Sequence, residues 1–130
     1  VVRLDAVLPM SYFTVDTIRQ LRVLEPCGKS NTRPVFADRN IKITRAGIVG
    51  VNRNVLKLHL LDSRGNPVAG VYFGEVEKLL TFLSEKFGSE EVDAAMHGRE
   101  NSIQFAAVYE PAVDTYSGRE SVQAIIRRFR

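Results

Sequence analysis

Cysteine is nearly absent from this 130-residue chain, which holds a single one. That residue, Cys27, can form neither an internal disulfide nor a cysteine-based zinc site alone, which favours a reducing, cytoplasmic setting. No apolar run approaches the roughly 20 residues that a membrane-spanning helix needs, and no signal-peptide pattern opens the chain, so no membrane partner is expected. The familiar catalytic motifs are missing as well: G-x-S-x-G, a P-loop, H-E-x-x-H and C-x-x-C do not occur. His59 and His97 stand outside any triad or metal-ligand pattern. Glu90 and Glu91 are adjacent and Glu75 and Glu77 are two apart, spacings that do not make carboxylates face one another on a helix. No catalytic or metal site is therefore expected within these residues.

What remains is an ordinary globular mix, 45% apolar and 25% charged, at a length suited to one domain. The chain opens on Val1 in what reads as a strand, as expected of a piece of a larger protein. Its formal net charge is only +3, but the charge is unevenly spread. Pro26 to Asn66 is strongly basic through Lys29, Arg33, Arg39, Lys42, Arg45, Arg53, Lys57 and Arg64, against Asp38 and Asp62 alone. Glu75 to Glu100 is acidic. Arg119 to Arg130 is basic again, four arginines to one glutamate. Arginine, which contacts phosphate bidentately and stacks on bases, supplies 13 of the 18 basic residues. If the two basic stretches meet in space, they form one positive face suited to a polyanion.

Hydrophobic periodicity gives the order of elements. Arg3 to Leu8 alternates until Pro9 stops it. Thr14 then caps a helix of about ten residues marked by Val15, Ile18, Leu21 and Leu24, which Pro26 ends. The segment from Glu25 to Pro34 is rich in turn formers. Ile41 and Ile43 begin a strand, Gly47 to Asn54 reads as a loop, and Leu56, Leu58 and Leu60 alternate with Lys57 and His59. A turn at Asp62 to Pro67 leads to a hairpin partner, Val68 to Phe73. Val76, Leu79, Leu80, Leu83 and Phe87 mark an amphipathic helix closed by Gly88, and Ser89 to His97 continues as a second short one. Ile103 to Val113 and Ser121 to Phe129 are two further strands.

This is a mainly β layout: a five-stranded OB-fold barrel with a helical insert between its third and fourth strands and an N-terminal strand-helix extension. Residues 1–32 form the extension and linker, and residues 33–130 the OB-fold domain. Such a barrel receives single-stranded nucleic acid on its second and third strands and the flanking loops. Lys42, Arg45, Arg53, Lys57 and His59 fall on that face or beside it, and Arg119 and Arg127 come from the basic end. Tyr72, Tyr109 and Tyr116 are the aromatics able to stack on bases, Tyr116 in the most exposed setting. Phe36, Phe73, Phe82, Phe87 and Phe105 are assigned to the core, because a small barrel needs its large apolar groups inside.

The segment Leu24-Glu-Pro-Cys-Gly-Lys-Ser-Asn-Thr-Arg-Pro-Val-Phe36 resembles the L-x-P-F-G-x-G-N-x-x-P-x-F signature that enters the C-terminal OB domain of RecJ-type exonucleases. Leu4-Asp5-Ala6 with Leu8 looks like the strand before that helix, and Val55-Leu-Lys-Leu58 like the family's H-L-K-L strand. Tyr109-Glu-Pro and Tyr116-Ser-Gly-Arg-Glu-Ser-Val-Gln-Ala-Ile-Ile126 resemble its closing motif, N-x-Y-x-G-x-x-x-x-Q followed by apolar residues. Cys27 replaces a phenylalanine, Ser30 a glycine, and Asp114 stands where asparagine is common; the insert from 75 to 100 is poorly matched. The resemblance implies the single-stranded-DNA-binding part of a nuclease that acts 5′ to 3′ in recombination and repair. It also implies catalytic DHH and DHHA1 domains, with manganese or magnesium, elsewhere in the parent chain, because this chain has no D-H-H triplet. The alternative is a docking module that packs on those domains or a repair protein and touches DNA little.

Overall fold

A computed structural model describes residues 6–23, 34–115 and 118–130, without the side chains of residues 22 and 23. In chain order the elements are β1 (Ala6–Val7), a 3-10 turn at Met10–Tyr12, α1 (Val15–Val23), β2 (Phe36–Val49), β3 (Val55–Leu61) and β4 (Pro67–Phe73). They continue with α2 (Val76–Phe87), α3 (Ser89–Met96), β5 (Gln104–Asp114) and β6 (Ser121–Phe129). The architecture is mainly β: a six-stranded sheet ordered β1-β2-β3-β4-β6-β5, with three α-helices among the described residues. β5 also pairs with β2, which bends the sheet back on itself in an OB-like arrangement.

Two differences from the expected layout stand out. The sixth strand is the short β1, parallel to β2, which belongs to the N-terminal extension. The circuit is also uneven. β4 and β6 meet in parallel only over Ala69–Val71 and Gln123–Ile125, whereas β5 and β6 pair from Ala107 opposite Phe129 to Asp114 opposite Ser121. The expected loop at 47–54 is shorter than the sequence indicates. Pairing with β3 continues to Val49 opposite Val55, so ladder hydrogen bonds keep Gly47 to Val49 extended despite the glycine.

The alternating leucines of β3 set the inside and the outside. Leu56, Leu58 and Leu60 are buried, with Ile41, Ile43 and Phe105 from the adjoining strands. α2 turns Val76, Leu79 and Leu83 into the same core, and Phe82 lies 4.9 Å from Phe129. Thr14 caps α1 as expected, its hydroxyl oxygen accepting the Thr17 N–H at 3.1 Å. Met10, Phe13 and Ile18 of the extension pack into the core, with Phe13 4.8 Å from Phe36 and 6.1 Å from Tyr109.

Two buried carboxylates fasten the extension. Asp38 accepts the backbone N–H groups of Met10 (3.1 Å) and Ser63 (3.3 Å). Asp62 accepts the Ser11 hydroxyl and the N–H groups of Ser11 (2.9 Å), Arg64 (3.0 Å) and Asn66 (2.9 Å). Burial disfavours the Asp62 anion, yet the hydroxyl of Ser11 and these three N–H groups outweigh it and hold its pKa below the ordinary value.

Removing Asp62 strands those donors, so Asp62→Ala is expected to cost about 1.5–3 kcal/mol in urea unfolding at neutral pH. Because the folded pKa is lowered, this contribution is present above the ordinary carboxylate range near about 4 and fades as pH falls through the lower folded value. The gap between wild type and Asp62→Ala therefore narrows in strong acid. Gly70 faces the core, where an added Cβ would lie 2.6 Å from Leu60 Cδ1. Gly70→Ala is expected to lower the unfolding free energy by about 1–3 kcal/mol in the same assay.

Candidate nucleic-acid interface

Because the β3 leucines point inward, Lys57 and His59 must point outward, and both are exposed. Register then decides their neighbours. Arg45 on β2 sits opposite His59, and Gly47 sits opposite Lys57. On the other side, Ala69 is opposite His59, Val71 opposite Lys57 and Phe73 opposite Val55. Lys42 lies further along β2, exposed and opposite Leu61. Exposed Arg45, Lys57 and His59 thus share this face with Gly47 and Ala69, while Val71 is buried. Among the described residues no ion pair engages Lys42, Arg45, Arg53 or Lys57.

An apolar patch adjoins them. Val49, Val55 and Phe73 face one another across three strands, with Phe73 52% and Val49 40% exposed. Val51, in the β2–β3 loop, is fully exposed. Arg53 projects from the same loop. Its φ of 53° lies in the left-handed region, and its N–H closes a turn onto the Gly50 carbonyl at 3.1 Å. Gly74 fixes the loop to the end of β4 by donating to the Asn54 carbonyl at 2.7 Å.

The structure decides two aromatics that the sequence leaves open and reverses a third. Tyr72 and Tyr109 are buried, so neither offers a ring to a base. Tyr72 meets Phe129 edge-on at 5.7 Å. The Tyr109 hydroxyl donates to the Leu8 carbonyl at 2.7 Å; burial first, then the Asp38 and Asp62 carboxylates, pushes its pKa far above the usual phenol range. Phe73, assigned to the core by size, is exposed on this face. The signal for this lay in the register: pairing the hairpin across its turn sets Leu56 opposite Tyr72 and Val55 opposite Phe73, which sends Tyr72 inward and Phe73 outward.

The other expected residues are spread more widely. Arg127, 47% exposed at its side chain, is tied to the buried Glu110 carboxylate at 2.6 Å. Arg119 is exposed in the turn before β6, at the opposite end of that strand from Arg127. Lys42, Arg45, Arg53, Lys57 and His59 share the β2–β3 side, while Arg119 stands apart from Arg53 and Arg127. Tyr116 lies outside the described residues. Among the described residues no three His, Cys, Asp or Glu side chains gather, so they offer no ligand set for the divalent ion that the resemblance implies. No helix among them is long and apolar enough to cross a membrane.

An OB-like β domain with a basic, partly aromatic outer face belongs to the class of nucleic-acid-binding modules. Residues 4–128 match the family model described as the RecJ OB domain, and the chain belongs to that family. No curated protein matches the chain.

Burial separates the two kinds of aromatic in a measurable way. Tyr109→Phe, which leaves the Leu8 carbonyl without its donor, is expected to lower the unfolding free energy by about 0.5–1.5 kcal/mol. Phe73→Ala, on the surface, is expected to change it by less than about 1 kcal/mol in the same urea titration.

Proposed function

We propose that this domain is the single-stranded-DNA-binding module of a RecJ-like 5′-to-3′ exonuclease that acts in recombination and repair in the cytoplasm. In this reading β2 to β6 work as a five-stranded OB barrel, and DHH and DHHA1 domains of the same parent chain hold the manganese or magnesium and cut the strand. Family membership supports the parentage. The binding role rests on one juxtaposition: Arg45, Lys57 and His59 exposed on the outer face of β2–β3, beside an exposed Phe73.

The chemistry of that face is sequence-tolerant. Cationic groups neutralise phosphates, and an aromatic ring stacks on any base for about 1–3 kcal/mol. Neither reads a base edge. A nuclease that advances along an arbitrary strand needs this kind of grip. Lys42, Arg53 and Arg119 add phosphate contacts, and Tyr116 a second ring. Arg127 contributes chiefly by holding Glu110, with the exposed part of its guanidinium left for DNA.

Fluorescence anisotropy with an oligo(dT) ligand tests the proposal. The expected result is binding whose log K falls linearly with log salt, by roughly 0.7 per phosphate contacted. Reversing two charges, Arg53→Glu with Lys57→Glu, is expected to weaken binding by at least about tenfold while leaving the urea midpoint unchanged. Phe73→Ala is expected to cost about 1–3 kcal/mol of binding. Undetectable or salt-independent binding, or an unaltered affinity in the charge-reversed pair, would refute the proposal and favour a docking module instead.

A further inference from the structure

A second basic site lies on a different part of the sheet. Ala37 on β2 is opposite Val108 on β5, and Val108 is opposite Arg128 on β6. Two residues along, Ala106 exchanges backbone hydrogen bonds with Arg130, at 2.8 and 3.0 Å. Arg39 stands on the β2 side of the same depression. The result is a groove of about 430 Å3 with a floor of Ala37, Ala106 and Val108 and walls that include Arg39, Arg128 and Arg130. None of these arginines is among the individually named candidate site residues, although all three belong to the two basic stretches.

The lining selects the ligand class. No acidic residue lines the groove, which excludes a cation. Its only aromatic, Phe129, is half-buried and packed against Tyr72 and Phe82, so no free ring awaits a base. All three arginines are exposed, and among the described residues no ion pair engages them. Three guanidinium forks around a small-residue floor fit the oxygens of phosphate. The groove is also continuous with the interface described above. Arg39, Lys42 and Arg45 are all exposed on β2, and the six steps from first to last span roughly 20 Å of extended chain. β2 therefore lays a line of cations from one site to the other.

We infer that the Arg39–Arg128–Arg130 groove is a second phosphate anchor, which takes the backbone of a nucleic-acid strand after it leaves the β2–β4 face. The inference rests on the proposed single-strand binding. It makes the footprint longer than that face alone, with stacking at the Phe73 end and phosphate contacts without stacking at the groove.

Two oligo(dT) lengths separate the sites: about 6 nucleotides, enough for one face, and about 20, enough to reach the groove, within or beyond the roughly 4–16 that one OB fold covers. For the variant Arg39→Ala, Arg128→Ala, Arg130→Ala, affinity for the longer ligand is expected to fall by about tenfold or more, and its salt slope by about 2. Affinity for the shorter ligand is expected to stay within about twofold of wild type. A triple arginine-to-lysine variant, which keeps charge but not the fork, is expected to recover part of the loss. If the triple alanine variant does not fold by circular dichroism, Arg128→Ala alone takes its place. An unchanged affinity and slope for the longer ligand, with the Arg53→Glu, Lys57→Glu pair still impaired, would overturn the anchor and leave the binding role intact. Unchanged affinity in both sets of variants, or no binding by wild type, would instead remove the binding role and the anchor with it. Tight binding of inorganic phosphate or of a poly-glutamate peptide that the triple variant loses, with the long oligonucleotide unaffected, would also overturn the anchor.

Discussion

Asp62 holds the geometry on which the rest of the molecule relies. Its carboxylate accepts the N–H groups of Arg64 and Asn66 inside the β3–β4 turn and those of Ser11 from the N-terminal extension. Closing that turn fixes which residue of β4 stands opposite which residue of β3. Side chains alternate across a sheet, so a slip of one residue would bring Lys57 and His59 into the core and expose the leucines. The same carboxylate that shapes a turn therefore decides which groups face solvent several residues away.

The sequence made the element order readable because each signal was local. Thr14 as a cap, the alternation of Leu56, Leu58 and Leu60, the spacing of Val76, Leu79 and Leu83, and Gly88 as a stop needed only near neighbours. The extent of β2 was harder. Gly47 looks like a breaker, and only pairing with β3 keeps it extended. Aromatic exposure was hardest, since size and hydrophobicity say that Phe73 is inside and leave Tyr72 and Tyr109 open. The cross-strand register turns Phe73 outward and both tyrosines inward, and the hydroxyl of Tyr109 finds its partner 101 residues earlier, at Leu8. The role of Arg127 likewise depended on Glu110, a carboxylate that only the β5–β6 pairing brings within reach.

Charge shows the same division between composition and placement. The two arginine-bearing stretches of the sequence do meet, but through Arg39, Arg128 and Arg130 rather than through the residues that seemed best placed for it. The middle stretch divides itself between two surfaces, with Arg45, Arg53 and Lys57 on one side and Arg39 on the other. The acidic insert is folded into two helices, and the segment that follows them returns to the basic face, with Gly98 against the Arg45 side chain and Glu100 lining a pocket with Lys42. Glu91 illustrates its solvated character: the Ser102 hydroxyl, then its N–H, hold its carboxyl below the usual range.

The short parallel seam between β4 and β6 gives the sheet an intrinsic point of yielding. Few rungs join Ala69–Val71 to Gln123–Ile125, while the antiparallel ladders on either side run much further. Local opening is governed by how many such rungs must part together. Within the circuit from β2 to β6 this seam is the join with the fewest rungs, and the hairpin that displays Lys57, His59 and Phe73 lies on its fully laddered side.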